Sequence, residues 1–236
     1  MVMLVTAALT FLAIHLLVSG TRLRDGIVGA IGEGPYLGLY ALTSLVVLIW
    51  LVISYNAASM SPENRMLYDL GRGVRDSGVL VIAIAFLLGV QGLVMPNLTS
   101  IQHGAAAAKE ANIKGVLRIT RHPFLWGVVI WSAFHMAANG DLASMFFFGT
   151  FLGVAFFGTF SIDAKRKRKL GSVWDAFAAK TSNIPFAAVI SGRNSLNFGE
   201  SLGRPFWIAA AIFLAILFAH YYLFHASPFP NGWIPF

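Results

Sequence analysis

Six apolar runs, at residues 2–18, 36–55, 77–94, 124–138, 142–160 and 206–224, constrain this chain more than any other feature. Runs of that length between polar segments suit a hydrocarbon core ~30 Å thick. Inside such a core each backbone N–H and C=O must be satisfied by its own helix or by a closed barrel, so the runs predict helices. The expected fold is an all-α, polytopic membrane helix bundle of about six transmembrane helices. Composition agrees: 57% of residues are hydrophobic and 11% charged, against ~25% charged in soluble domains. Residues 2–18 follow no basic segment and end without a small-residue cleavage motif, so they are expected to remain as a transmembrane helix. The run at 124–138 is short for a full crossing and is expected to be one arm of a tight hairpin closed by Asn139-Gly140-Asp141.

Net charge is +7, yet the chain has no nucleic-acid motif, and its basic residues lie between apolar runs, where they set orientation. Arg22, Arg24, Lys109, Lys114, Arg118, Arg121, Lys165, Arg166, Lys167, Arg168, Lys169, Lys180, Arg193 and Arg204 fall on one side, and Arg65, Arg72 and Arg75 on the other. The asymmetry predicts both termini in the periplasm and a cytoplasmic surface segment at residues 161–205. Within that segment Trp174, Phe177 and Ala178, set between polar residues, predict a short helix lying on the inner surface. The stretches at 20–35 and 61–77 read as loops with short helical pieces. No repeat or second soluble domain is visible, so residues 1–236 read as a single transmembrane domain.

The chemistry gathers in residues 115–141, GVLRITRHPFLWGVVIWSAFHMAANGD. Pro123 suits the first position of a helix, which puts His122 at the cap. Arg118, Arg121 and His122 then collect cationic donors at the positive end of a helix dipole, an arrangement that favours an anion. His135 follows His122 by thirteen residues, ~20 Å along the same helix at 1.5 Å per residue. His15, His135 and His220 are the intramembrane histidines, and an ionisable side chain there requires a hydrogen-bond partner or a metal. His103 reads as a loop residue and His225 as interfacial. With no cysteine in the chain, thiolate ligation is excluded and histidine is the available soft-to-borderline metal ligand. Depth along the helices leaves three ligand pairs open: His15 with His135, His135 with His220, and His15 with His122.

The segments FLAIHLLVSGTRLRDGIVGAIGEGPYLGLYALTS, RHPFLWG and SAFHMAANGDLAS resemble the NnrU family of bacterial membrane proteins, linked to nitric oxide and nitrite metabolism. That family is related to the zeta-carotene isomerases, membrane enzymes with haem b that isomerise a 15-cis double bond when the iron is reduced. The resemblance implies haem b as cofactor, with His15 and His135 as its axial ligands. Ser132 stands where the isomerases have a cysteine able to replace one ligand. Arg118, Arg121 and His122 can then hold the haem propionates through charge-assisted hydrogen bonds. The resemblance also implies a multi-pass protein of the bacterial inner membrane. Its partners would be the lipid bilayer and a hydrophobic small molecule or nitric oxide, with no nucleic acid.

GVLRITRHPFLWG followed by DAKRKRKLGSVWDAFAAKTSNIPF is also similar to the isoprenylcysteine carboxyl methyltransferases. That likeness implies S-adenosylmethionine at Arg121 and His122, although the glutamate pair of those enzymes appears here as Asp163-Ala164. Three functions therefore stand at the level of sequence: a haem protein acting on a polyene or in nitrogen-oxide metabolism, a membrane methyltransferase, and a non-enzymatic membrane scaffold.

Overall fold

The structure is a computed structural model describing residues 1–99 and 113–229; His103 and Lys109 lie outside the described residues. In chain order, α1 (Val2–Leu12) continues as a π-helical turn (Ala13–Val18), followed by α2 (Leu23–Ile31), α3 (Glu33–Ser59), α4 (Arg72–Asp76) and α5 (Gly78–Val94). After a 3₁₀ turn at Gly115–Arg118 come α6 (Pro123–Asn139), α7 (Leu142–Leu170), α8 (Ser172–Lys180), α9 (Ala187–Ile190), α10 (Phe198–Ser201) and α11 (Arg204–Phe224). Among the described residues there is no strand, and Met66 and Asp141 form an isolated bridge.

Each of the six apolar runs is helical, but not all are long enough to span. Among the described residues α3, α7 and α11 are long and apolar enough to cross a membrane. A fourth crossing results if α1 through Val18 and α2, bent by 77°, form one broken span. The sequence predicts about six. α5 and α6 have 17 residues each, or ~26 Å at 1.5 Å per residue. α7 continues to Leu170 rather than ending near residue 160, because its Ala, Lys and Arg residues are good helix formers that carry it past the apolar run. α8 forms where a surface helix is expected, but Trp174 and Phe177 turn inward. They are 3% and 2% exposed and pack on Leu98 with Ile113 and Leu170.

The chain forms two compact units. The first comprises Met1–Leu70 and His135–Ser161. In α1, Leu4, Ala7, Ala8 and Phe11 recur at helical spacing and make one buried face; they pack with Val47 and Leu51 of α3 and Ala143 of α7. The turn between α6 and α7 is held from several sides. Gly140 has φ +68°, a conformation that glycine adopts without steric cost. Its carbonyl accepts from Leu67 N–H at 2.9 Å, while Leu142 N–H donates to the Arg65 carbonyl at 3.0 Å. Tyr68 Oη donates to the Met136 carbonyl at 2.8 Å, and Asp141 Oδ1 accepts the Ser144 N–H at 3.0 Å at the start of α7.

The second unit comprises Gly71–Phe134 and Ile162–Phe236. α5 and α6 approach so closely that glycines are needed at the crossing. A Cβ on Gly127 would lie 2.7 Å from both the Ala85 carbonyl oxygen and Gly89 Cα. One on Gly92 would lie 2.6 Å from the Pro123 ring. Small residues of this kind allow backbones to approach in a membrane, where dispersion must hold helices together. α11 also packs on α5, with Phe86 and Phe213 5.9 Å apart. The α5–α6 crossing fixes the position of Pro123, and with it the residues just before α6.

Candidate functional site

In the second unit those residues make a charged cluster. The His122 carbonyl accepts the Trp126 N–H at 3.0 Å, so His122 occupies the cap that Pro123 predicts. The loop before it is pinned along its backbone. Arg121 N–H donates to Ser182 O at 2.9 Å, and the Arg121 carbonyl accepts from Asn97 Nδ2 at 3.1 Å and Thr99 Oγ1 at 2.8 Å. The side chains of Arg121 and His122 both converge on Asp163 of α7. Arg121 Nε donates to its two oxygens at 2.9 and 3.0 Å, the Arg121 Nη2 closes a second contact, and His122 Nε2 lies 2.6 Å from Oδ1. The Arg121 guanidinium also lies 5.6 Å from the Trp174 ring centre, a cation–π contact. His122 is 2% exposed. Burial pushes its imidazole below the usual histidine range, against the opposing pull of Asp163. It is therefore neutral near pH 7 and donates its Nε2 proton to the carboxylate.

Arg118 belongs to a separate pair. Its Nε and Nη2 grip Glu200 at 2.8 and 3.0 Å, and Gly115 N–H adds a third bond to that carboxylate at 3.1 Å. The Arg118 bonds first, then the Gly115 N–H, hold the Glu200 carboxyl down at about 2. An unfolded glutamate titrates near 4.5, so the pair contributes its full stability above that pH and loses it as pH falls through about 2. The loss of stability in Glu200→Gln is accordingly expected to be constant from pH 8 to pH 5 and to shrink steadily below it in thermal unfolding of the detergent-solubilised protein. A stability loss independent of pH down to 2.5 would refute the ionic origin.

The sequence places Arg118, Arg121 and His122 together as an anion site. In the structure each is engaged by a carboxylate of the chain, and an incoming anion would have to displace Asp163 or Glu200. Asp163 is taken up by Arg121 and His122.

The first unit holds the two histidines of the early and late motifs. His15 lies in the π-helical turn, a distortion that often marks functional positions. Its Nδ1 is 2.8 Å from the Phe11 carbonyl oxygen. A carbonyl only accepts, so Nδ1 carries the proton and Nε2 keeps its lone pair. Nε2 faces the Ser44 hydroxyl at 3.3 Å. Phe11 stacks on the His15 ring at 4.1 Å, and His135 stacks on Phe148 of α7 at 4.7 Å. Ring contacts through Phe151 and Phe147 join Phe11 to Phe148, so one aromatic series runs from His15 to His135. Ser132 is buried and donates to the Val128 carbonyl at 2.7 Å. His122 and His220 belong to the second unit. His220 Nδ1 is 2.8 Å from the Ala226 carbonyl oxygen, and His225 is the exposed cap of α11.

An all-helical chain with helices of membrane-crossing length, charged residues drawn into internal pairs, and two histidines held within aromatic packing is an integral membrane protein with candidate sites inside it. The chain belongs to the NnrU family, whose description, NnrU protein, it matches over residues 3–228. It is similar to the chloroplastic 15-cis-zeta-carotene isomerase of Zea mays, at 30% identity over 122 residues, which covers 50% of this chain and 33% of that protein. The isomerase of Arabidopsis thaliana is 28% identical over 109 residues, covering 45% of this chain and 30% of its own. The chain thus spans about a third of the length of these relatives. No solved structure matches it.

Ser44 falls inside the first motif and Asp163 opens the segment DAKRKRKLGSVWDAFAAKTSNIPF, yet the sequence alone assigns Ser44 no contact with His15 and Asp163 none with Arg121 and His122. A trace of Asp163 is present in the sequence, as a lone carboxylate just before the basic run 165–169 at the end of an apolar helix. Nothing in the local pattern singles out Ser44 from the other residues of its motif.

Proposed function

We propose that this protein binds haem b through His15 and His135 and isomerises a cis double bond in a long, hydrophobic polyene. Family membership and the two isomerase relatives support the reaction class. The observation that carries the cofactor is the hydrogen bonding of His15. Its Nδ1–H is anchored on the Phe11 carbonyl while Nε2 keeps a lone pair beside a weak neutral partner. Metal-ligating histidines are oriented in this way. This bonding suits His15 to ligate a metal. Phe11 fixes the tautomer and ring plane of His15, and Phe148 holds the His135 ring by stacking. A bound haem would supply a redox-active iron with exchangeable axial positions.

The proposal extends to topology: six spans in the inner membrane of a bacterium, with both termini periplasmic. α5 and α6 would complete their crossings with flanking residues, and the lysine and arginine asymmetry supports the orientation.

The test is an optical spectrum of the detergent-purified protein, oxidised and dithionite-reduced, for wild type, His15→Ala and His135→Ala, followed by incubation of the reduced protein with a cis-polyene. A Soret band with sharp reduced α and β bands, lost in both variants, and a light-independent cis-to-trans absorbance change are expected. A wild type that stays colourless after reconstitution with haem would overturn the proposal.

A further inference from the structure

We infer that Tyr36, assisted by Arg24, binds a carboxylate of the group held at His15; this rests on the haem reading above. Tyr36 stands in the first turn of α3 and is 4% exposed. Its hydroxyl has no hydrogen-bond partner among the described residues. A phenylalanine would fill the same space without burying that oxygen, and buried polar atoms are nearly always paired. The neighbouring polar groups are already partnered: the Tyr40 hydroxyl by Ser19, and His15 by Phe11 and Ser44.

Position ties this hydroxyl to the imidazole. Tyr36 stacks on Tyr40 at 5.9 Å, and Tyr40 meets the His15 ring edge-on at 5.6 Å, so the three rings form one cluster. Charge then selects the ligand. The Arg24 guanidinium lies 5.3 Å from the Tyr36 ring centre. Its present partners, Glu33 at 3.0 Å and Asp25 at 3.6 Å, are both 56% exposed, and ion pairs of that kind exchange readily. The N-terminal end of the long helix α3 adds partial positive charge on the same side. A phenol donor, a guanidinium with solvated partners and a helix N-terminus together favour an anionic acceptor, and a carboxylate suits all three. Arg118, Arg121 and His122 differ in that the carboxylates bonded to them are less solvated, Glu200 being 23% and Asp163 18% exposed.

The experiment titrates haem-depleted protein in detergent with haem b and with its dimethyl ester, in which both carboxylates are blocked, for wild type, Tyr36→Phe, Arg121→Ala and His15→Ala. Wild type is expected to prefer the free acid by about tenfold, the scale of one hydrogen bond to a charged group. Tyr36→Phe is expected to lose most of that preference while binding the ester as wild type does. Its ligand-free melting temperature should be no lower than that of wild type, since the deleted oxygen has no protein partner. A preference that survives in Tyr36→Phe and disappears in Arg121→Ala would overturn the inference and return the carboxylate to the charged cluster. A lower ligand-free melting temperature in Tyr36→Phe would assign the hydroxyl a structural role instead. If neither porphyrin binds wild type, or if binding is unchanged in His15→Ala, the haem reading itself fails and this inference falls with it.

Discussion

Asp163→Ala is expected to destabilise the folded protein by about 3 kcal/mol or more, the scale of removing one member of a buried charge pair. The change leaves the Arg121 guanidinium, whose side chain is 15% exposed, without its counter-charge and His122 without the acceptor of its Nε2 proton. Neither side chain has an easy route to water. Arg121 is held at its backbone by Ser182, Asn97 and Thr99, and His122 caps α6. Asp163→Asn keeps an acceptor for one of the two donors and should recover roughly half of the loss, since it restores shape and one hydrogen bond but no charge. Thermal unfolding followed by helical circular dichroism in detergent measures both variants. A melting temperature for Asp163→Ala within a degree of wild type would show that the cluster is solvated and adds nothing to stability.

Gly127→Val is the second change with a large expected effect. Its Cβ would sit 2.7 Å from the Ala85 carbonyl and from Gly89 Cα, which are backbone atoms of α5 that no rotamer change can move. The helices would have to separate, giving up dispersion contacts along the crossing. Overpacking of this kind costs ~1–3 kcal/mol where side chains can adjust, and the backbone clash puts this case at the upper end, about 3 kcal/mol. Gly26→Ala is the internal control. Nothing lies within 4 Å of a Cβ at that position, so the added methyl should leave the melting temperature unchanged or raise it through helix propensity. Equal stability for Gly127→Val and wild type would mean that the crossing is looser than the structure has it.

Much of this architecture is legible in the sequence because hydrophobicity acts locally. The runs at 36–55, 142–160 and 206–224 locate α3, α7 and α11, and Pro123 locates the start of α6 with His122 as its cap. Helix ends are less legible, as α7 shows. Its last turns are charged, so composition ends the apolar run near residue 160 while helix propensity carries the backbone to Leu170. The cluster at Asp163 is harder still, for its partners lie 41 and 42 residues away in sequence and no periodicity connects them. The Trp174 face reads as amphipathic from spacing alone, and spacing does not say whether lipid or Leu98 covers it. The glycines of the α5–α6 crossing look like permissive residues until the partner helix is in place.

The π-helical turn at Ala13–Val18 has a consequence for how this protein tolerates changes of length. A π turn is equivalent to one residue inserted into an α-helix. It closes a first helix keyed to the core by Leu4, Ala7, Ala8 and Phe11, and after Val18 the chain turns by 77° into α2. A single deletion within the wide turn would tighten it to ordinary winding and turn Ser19 and the residues after it, while the buried face up to Phe11 kept its contacts. His15 therefore sits where the winding of the helix changes, so gain or loss of one residue in that turn would redraw the surroundings of its imidazole while the face from Leu4 to Phe11 stays in register with the core.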